Sequence, residues 1–170
     1  EAEPTRQNQP IAGADDGASG VGVLLEIARQ LQHQPTAVGV DIIFFDLEDW
    51  GQPSFSDKWV QGDWWCVGSR YWSEQPHVED YKAAYGILLD MVVAAGATFM
   101  KEGYSVQYAP HVVERVWSTA AKLGYGHYFT RKSGGYITDD HLPVNQHERA
   151  PSVNIINLKN DTRTGFAFER

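Results

Sequence analysis

Residues 42–49 read Ile-Ile-Phe-Phe-Asp-Leu-Glu-Asp, so four apolar side chains run directly into a segment that carries three acids. A short apolar run of this kind is typical of a buried strand, and we expect one over residues 40–45. Burying ionised carboxyl groups costs on the order of several kcal/mol unless a positive charge compensates them. No Lys or Arg lies near these acids in the sequence. A metal ion is therefore a leading candidate for the missing charge.

The composition is that of a folded domain with an acidic surface. The chain has 170 residues, 42% of them hydrophobic and 21% charged, with a formal net charge of -8. One domain with a substantial core is expected at this length. The negative charge argues against nucleic acid and anionic membranes as partners. No apolar run reaches the roughly 20 residues of a membrane-spanning helix.

Cys66 is the single cysteine, which excludes an intrachain disulfide and a cysteine-based zinc site.

Strands and amphipathic helices alternate along the chain. Helical spacing of apolar residues predicts one helix that ends near His33, a short helix at residues 67–72, and one at 109–123 with Gly124 as its C-cap. Further strands are expected at residues 85–90 and 152–156. This alternation favours an α/β layered domain with a mainly parallel sheet.

Several acids are placed where such a sheet would bring them together. Asp90 ends the second apolar run, Asp16 precedes the first helix, and Asp139 and His141 follow a glycine-rich turn. Ligands of open α/β sheets bind at the carboxyl ends of the strands. We therefore expect these side chains to converge on one edge of the sheet, together with the acids of residues 46–49.

Each of these residues also has a structural interpretation. Asp15 and Asp16 could cap the helix that follows them. Asp90 could be a buried acid that backbone N–H groups satisfy, and His141 could be a surface loop residue. Glu48 could be a solvated loop acid, but the apolar residues before it favour function. Zinc would bind carboxylate oxygens and imidazole nitrogens, leaving one position to polarise a carbonyl while a nearby carboxylate moves protons.

Five motifs in the same order resemble the M28 zinc-peptidase superfamily over nearly the whole chain. They are GADDGASG at 13–20 with LEIAR at 25–29, IFFDLED at 43–49, GSRYW at 68–72, LLD at 88–90 and ITDDH at 137–141. The phrases IIFFDLED, WCVGS and ITDDH are most similar to the glutaminyl-peptide cyclotransferase branch, especially its bacterial members. The resemblance implies a three-layer α/β domain with a mainly parallel mixed central sheet flanked by helices.

The resemblance also implies roles for individual residues. Asp16 and Asp49 match zinc ligands, and Glu48 matches the general acid/base. Asp90 and Asp139 match acids that share a hydrogen-bond network with that base, and His141 matches a histidine that lines the pocket. Aromatic residues could wall the pocket against water, and Trp65 is the one expected to contact substrate; the set is Trp50, Phe55, Trp59, Trp64 and Trp65.

The activity implied by the resemblance is the conversion of an N-terminal glutaminyl residue to pyroglutamate with release of ammonia. One zinc ion would polarise the side-chain γ-carbonyl, and Glu48 would move a proton from the attacking amine to the departing nitrogen. The substrates would be peptides or proteins with N-terminal Gln, and family members are exported, often to the periplasm.

Two other functions remain open at this point. An M28 aminopeptidase would use two metal ions, with Asp16 bridging them and Asp90 binding the second. The Glu-Asp pair at 48–49 favours the cyclase, because aminopeptidases more often carry Glu-Glu. A non-catalytic binding module of the same fold could act through the aromatic loop at residues 50–65.

Two elements of the family pattern are missing from the sequence. They are an upstream His-x-Asp and a His near the C-terminus that would be the third zinc ligand. We therefore expect an N-terminal arm at residues 1–12 and, at residues 13–170, a catalytic domain that is truncated at both ends. Asp16 and Asp49 alone would hold a metal weakly.

Overall fold

The computed structural model describes residues 10, 12–51 and 64–158, and this part of the chain contains five α-helices and four β-strands. Their order is α1 (Ala18–His33), α2 (Val67–Glu74), β1 (Gly86–Asp90), β2 (Phe99–Lys101), α3 (Gly103–Tyr108), α4 (Pro110–Lys122), β3 (Phe129–Ser133), α5 (His141–Gln146) and β4 (Ser152–Ile156). The helices and strands predicted around residues 21–33, 67–72, 85–90, 109–123 and 152–156 are confirmed.

The strands pair in parallel, as the alternation of strands and helices predicts. β1 runs beside β4, with Gly86 opposite Ser152 and Asp90 opposite Ile156. β2 and β3 form a second parallel pair. An antiparallel bridge between Phe99 and the residue after β4 links the two pairs. The architecture is a mixed α/β arrangement of parallel strands with flanking helices.

The expected buried strand at residues 40–45 is wrong. No strand hydrogen bonding is present there, and Val40 and Phe44 are 48% and 52% exposed. A strand needs a neighbour whose backbone groups pair with its own. No described segment pairs its backbone with residues 40–45. This apolar run therefore does not form a strand, although its sequence is typical of one.

Helix α4 ends as its sequence predicts. Gly124 has a positive φ of 87°, a conformation that glycine adopts without steric cost. The N–H groups of Gly124 and Tyr125 donate to the carbonyls of Ala121 and Ala120 at 3.1 and 2.8 Å. This pair of bonds is a Schellman motif, which satisfies carbonyls that the helix leaves unpaired.

The main core lies between α4 and the strands. Trp117 is 4% exposed, packs edge-to-face on Phe129 and donates its indole N–H to the carbonyl of Thr130 at 2.8 Å. All five residues of β4 are buried. The buried apolar cluster comprises Ala94, Ala97, Phe99, Ala109, Val112, Val113, Trp117, Val153 and Ile155. This core holds β4, and through it β1, in a fixed position.

Helix α1 meets β1 at a glycine. A Cβ at Gly20 would lie 2.3 Å from the carbonyl oxygen of Leu89, whereas a Cβ at Gly22 would meet nothing within 4 Å. Gly20 therefore permits the close approach that brings the start of α1 to the end of β1.

Replacing these two glycines should have opposite effects on stability. Gly20→Ala should destabilise the intact protein by about 1–3 kcal/mol, because backbone must move to admit the methyl group. Gly22→Ala should stabilise it by about 0.5–1 kcal/mol, since alanine loses less conformational entropy in a helix. Urea unfolding of both variants checks this, and equal effects would contradict the close approach.

Candidate active site

A cavity of about 530 Å³ runs along β1 to its carboxyl end, between α1, residues 41–50 and the start of α5. Its lining includes His141 and most of the acids expected there, whereas Asp46, which was expected with them, is not a lining residue; the lining acids are Asp16, Glu48, Asp49, Asp90 and Asp139, with Asp140 beside them. The structure thus brings together side chains that are far apart in the sequence.

Exposure decreases from one side of this acidic cluster to the other. Asp16 and Asp49, the two expected zinc ligands, are exposed, and Glu48 is half-buried. Asp139 and Asp140 are only 4% and 6% exposed. The expected metal ligands are therefore the accessible part of the cluster, and the supporting acids lie deeper.

Glu48 is in an environment that opposes its ionisation. Burial raises the pKa of Glu48 to about 9, and its hydrogen bond to Asp49 and the charges of Asp139, Asp49 and Asp140 act in the same direction. In the metal-free protein a shift of this direction keeps the carboxyl protonated at neutral pH. A nearby positive charge would lower its pKa and so allow Glu48 to accept and return a proton.

The other acids share this electrostatic environment. Burial, followed by the charges of Asp16 and Asp49, raises the pKa of Asp90 to about 7. Desolvation and then Asp49 raise the pKa of Asp16, and burial and then Asp90 raise that of Asp139 well above its usual range. Each acid therefore lies close enough to another to feel its charge.

Within the described part of the chain, little positive charge compensates these acids: the charge of His141 lowers the pKa of Asp140, but burial, the largest cause, leaves that pKa raised. Among the residues that the structure describes, the lining of the cavity contains no Lys or Arg. The cluster can lower its energy either by binding protons, which the raised pKa values reflect, or by binding a cation.

The segment that carries Glu48 is fixed by the N-terminus of α2. The N–H groups of Cys66, Val67 and Gly68 donate to the carbonyls of residues 48, 47 and 46 at 2.9, 3.1 and 3.2 Å. These groups would otherwise be unpaired donors of the first helical turn. The thiol of Cys66 also donates to Oε1 of Glu48 at 3.6 Å. Cys66 is 1% exposed, and burial raises the pKa of its thiol, so it packs against the site as a neutral group.

Three of the five non-glycine residues with positive φ in the described part of the chain lie next to these acids. Leu47, Cys66 and Met91 have φ values of 54°, 53° and 46°, a region that side chains other than glycine rarely adopt. Leu47 precedes Glu48 and Met91 follows Asp90. Strain of this kind persists where the surrounding structure imposes it, commonly at functional sites.

The alternative role of Asp15 and Asp16 as helix caps is wrong. The N-cap of α1 is Gly17, and no side chain caps it. Asp15 accepts a hydrogen bond from the N–H of Val93 at 2.9 Å instead. Ser19 accepts from the N–H of Val92 at 3.1 Å. Both residues tie the start of α1 to the turn after β1, which leaves Asp16 beside Asp90.

His141 lines the cavity as predicted, but it is the first residue of α5 and not part of a loop. It is 2% exposed and donates from Nε2 to Oε2 of Glu102 at 3.0 Å. The backbone of Asp140 donates to Oδ1 of Asp139 at 2.6 Å. These contacts orient the segment that carries the deepest acids of the site.

The aromatic residues divide between the cavity and its surroundings. Trp50 lines the cavity, whereas Trp65 is not among its lining residues. Trp65 is 38% exposed and lies against Gly51, where a Cβ would fall 1.8 Å from its ring. Phe55 and Trp59 lie outside the described residues.

The residues fit zinc in ligand type and charge but form an incomplete set. Asp16 and Asp49 are close enough for the charge of Asp49 to raise the pKa of Asp16. Within the described residues, no group of three or more His, Cys, Asp or Glu side chains is arranged to hold a metal ion. A stable zinc site needs about four ligands, so these two carboxylates would account for part of it.

Comparison with known proteins identifies the family. The model for peptidase family M28 matches residues 3–165. The chain belongs to peptidase family M28. No curated protein matches this M28 chain significantly.

Solved structures resemble this M28 chain closely. The glutaminyl cyclase of Tannerella forsythia is 54% identical, with a TM-score of 0.90, over 98% of this chain and 57% of that one. A Zn-dependent exopeptidase from Parabacteroides distasonis is 50% identical, with a TM-score of 0.91, over 98% and 57%. A leucine aminopeptidase precursor from Bacteroides thetaiotaomicron is 49% identical, with a TM-score of 0.87, over 92% and 54%. The chain thus spans a little over half the length of these proteins.

Three buried polar residues near the site were not predicted from the sequence. Asp140 lines the cavity beside Asp139. Its place next to Asp139 in the sequence could have indicated this. Glu102 and Asn154 are both 0% exposed and form contacts behind the cavity. Nothing in their local sequence distinguishes them from ordinary polar residues.

The crowded acids predict that stability falls with rising pH in the metal-free protein. Glu48 and Asp90 have folded-state pKa values of about 9 and about 7, above their ordinary values. The folded state therefore binds protons more tightly than the unfolded state, and this contribution is complete below about pH 4 and lost as pH rises through 7 and 9.

Thermal unfolding of the chelator-treated intact protein measures this effect. We expect a loss of about 1–3 kcal/mol between about pH 5 and about pH 9. Glu48→Gln should flatten the part of the profile above about pH 7, because the titrating group is gone. A wild-type profile that is level or rises over this range would contradict the arrangement.

Proposed function

We propose that the intact protein is a zinc-dependent glutaminyl-peptide cyclotransferase that forms N-terminal pyroglutamate and releases ammonia. The observation that carries the proposal is Glu48, a half-buried carboxyl that shares one cavity with Asp49, Asp90 and Asp139. The 54% identity to the glutaminyl cyclase of Tannerella forsythia supports this choice. Because the chain spans only part of that protein, the activity is proposed for the whole protein.

Glu48 would move the proton that cyclisation requires. The α-amine of the substrate attacks the γ-carbonyl carbon, a C–N bond forms, and the amine must lose a proton. Glu48 accepts this proton and then donates it to the departing nitrogen, which leaves as ammonia when its C–N bond breaks. A group that both takes and returns a proton works best when its pKa lies near the working pH. In the metal-free protein burial, followed by the neighbouring acids, raises the pKa of Glu48 to about 9, and a bound cation would lower it toward the working pH.

Asp16 and Asp49 would supply two carboxylate ligands to zinc, and the remaining ligands would come from outside the described residues. Zinc, when bound, polarises a carbonyl oxygen as a Lewis acid. Asp90 and Asp139 would hold Glu48 in position, and Trp50 and His141 would line the binding pocket. Trp65 is proposed as a substrate contact at its edge.

The substrates would be peptides or proteins with N-terminal Gln, and we place the protein in the periplasm or otherwise outside the cell by analogy with its family. No helix within the described residues is long and apolar enough to cross a membrane.

Aminopeptidase activity is the second candidate, and one observation favours it. The charge of Asp16 contributes to the raised pKa of Asp90, so both acids are close enough to suit a two-metal site. The likeness to a leucine aminopeptidase precursor points the same way. Metal analysis separates the two functions, since one zinc per chain supports the cyclase and two support the peptidase.

Glu48→Gln should abolish the proposed reaction. Ammonia release from a Gln-initiated peptide by the full-length enzyme should fall by at least about 100-fold, because general acid–base catalysis contributes about 10²–10⁴. Glu114→Gln is the matched control, since Glu114 is an exposed acid that pairs with Lys101 at 3.3 Å and should retain full activity.

The products decide between the candidates. Pyroglutamate and ammonia from the wild type support the cyclase, and release of the free first amino acid supports the peptidase. Full activity of Glu48→Gln on the Gln-initiated peptide would remove Glu48 from the role assigned to it.

A further inference from the structure

A buried polar network lies behind the acidic cavity and ends on Asp139. Its members are Glu102, Ser105 and Asn154, all 0% exposed. They come from the loop before α3, from α3 and from β4, and they are contiguous through hydrogen bonds. The mechanism proposed above uses none of them.

Glu102 is the fixed end of the network. Its Oε1 accepts from the backbone N–H groups of Tyr104 and Ile137 at 2.8 and 3.0 Å. Its Oε2 accepts from the N–H and the hydroxyl of Ser105 at 2.7 and 2.8 Å and from Nε2 of His141 at 3.0 Å. Burial alone would raise the pKa of Glu102, but these donors lower it to about 2. The carboxylate thus stays ionised and joins α3 to residues 137–141.

Asn154 is the other end of the network. The hydroxyl of Ser105 accepts from the backbone N–H of Asn154 at 2.9 Å. The side-chain Nδ2 of Asn154 donates to Oδ2 of Asp139 at 2.5 Å. Since Oδ1 of Asp139 accepts from the N–H of Asp140, both oxygens of Asp139 are held by hydrogen bonds.

An asparagine at position 154 is unfavourable for the stability of the fold. It lies in the middle of β4, a strand whose five residues are all buried. Its Oδ1 is buried and has no hydrogen-bond partner among the described residues. A buried amide with an unsatisfied oxygen destabilises a fold, so packing alone does not explain an asparagine here. Within residues 64–158, its hydrogen bond to another side chain goes to Asp139.

We propose that Asn154 is a positioning residue for the active site: Ser105, itself held by Glu102, binds the backbone N–H of Asn154, and the side-chain amide of Asn154 fixes the orientation of Asp139 beside Glu48. This inference rests on the proposed function, because it assigns to Asn154 an effect on the same proton transfer. Asn154 contacts no substrate in this account and acts through Asp139.

Steady-state kinetics of the full-length enzyme on a Gln-initiated peptide test the role. Asn154→Ala should lower kcat by about 5- to 20-fold and leave KM within about twofold, because Asp139 loses a hydrogen bond and is then misplaced beside Glu48. Ser105→Ala, one step further from the site, should lower kcat by a smaller factor of about two to five.

Asn157→Ala is the matched control. Asn157 is 3% exposed, directly follows β4, and its side-chain oxygen accepts from the backbone N–H of Thr98 at 3.4 Å. Its replacement should lower the melting temperature to a similar extent but leave kcat unchanged. A purely structural role for Asn154 would make the two asparagine variants alike in both measurements.

The outcomes separate this inference from the function on which it rests. An inactive wild type would overturn the proposed cyclase activity. An active wild type with an unchanged kcat in Asn154→Ala would overturn the role of Asn154 alone. If Asn154→Ala does not fold, Ser105→Ala decides: a lowered kcat with an unchanged KM supports the network, and an unchanged kcat contradicts it.

Discussion

Negative charge gathered in a confined space is the constraint on which this structure depends. Carboxyl groups from the start of α1, the segment at residues 46–49, the end of β1 and the start of α5 line one cavity. Within the described residues, no Lys or Arg lines it. The raised pKa values of Glu48 and Asp90, to about 9 and about 7, express the cost of this arrangement. Because crowding buried carboxyl groups costs free energy, we infer that this cavity serves to bind protons or a cation.

The rest of the described fold can be understood as support for that cavity. Gly20 lets α1 approach the end of β1, and the N-terminus of α2 pins the carbonyls around Glu48. β4, buried along its whole length, carries Asn154 behind Asp139. Strained backbone at Leu47, Cys66 and Met91 lies next to these contacts. Non-glycine residues thus adopt unfavourable backbone conformations where the acids come together, as is expected at a functional site.

Sequence reasoning predicts the elements whose patterns are local. Helices α1 and α4 and strands β1 and β4 follow from apolar periodicity. Among the acids of the cavity, Glu48, Asp49 and Asp90 follow from their place after apolar runs. The strand predicted at residues 40–45 is absent, because strand formation depends on a neighbouring strand and not on the apolar run itself. Strand β3, Phe129–Ser133, is mostly polar and exposed, so it lacks the alternation that identifies strands. Glu102 and Asn154 acquire their importance from contacts across 15 to 49 residues of sequence, which no local pattern encodes.

The most direct test of the central claim is the proton balance of zinc binding. Calorimetric titration of the metal-free intact protein with Zn²⁺ at about pH 7, in buffers with different ionisation enthalpies, measures the protons released per ion. If the crowded carboxyls hold protons that a cation displaces, about one proton or more should leave for each zinc bound. Tight binding with no proton released would show that the acids are already ionised without the metal, and would contradict the account.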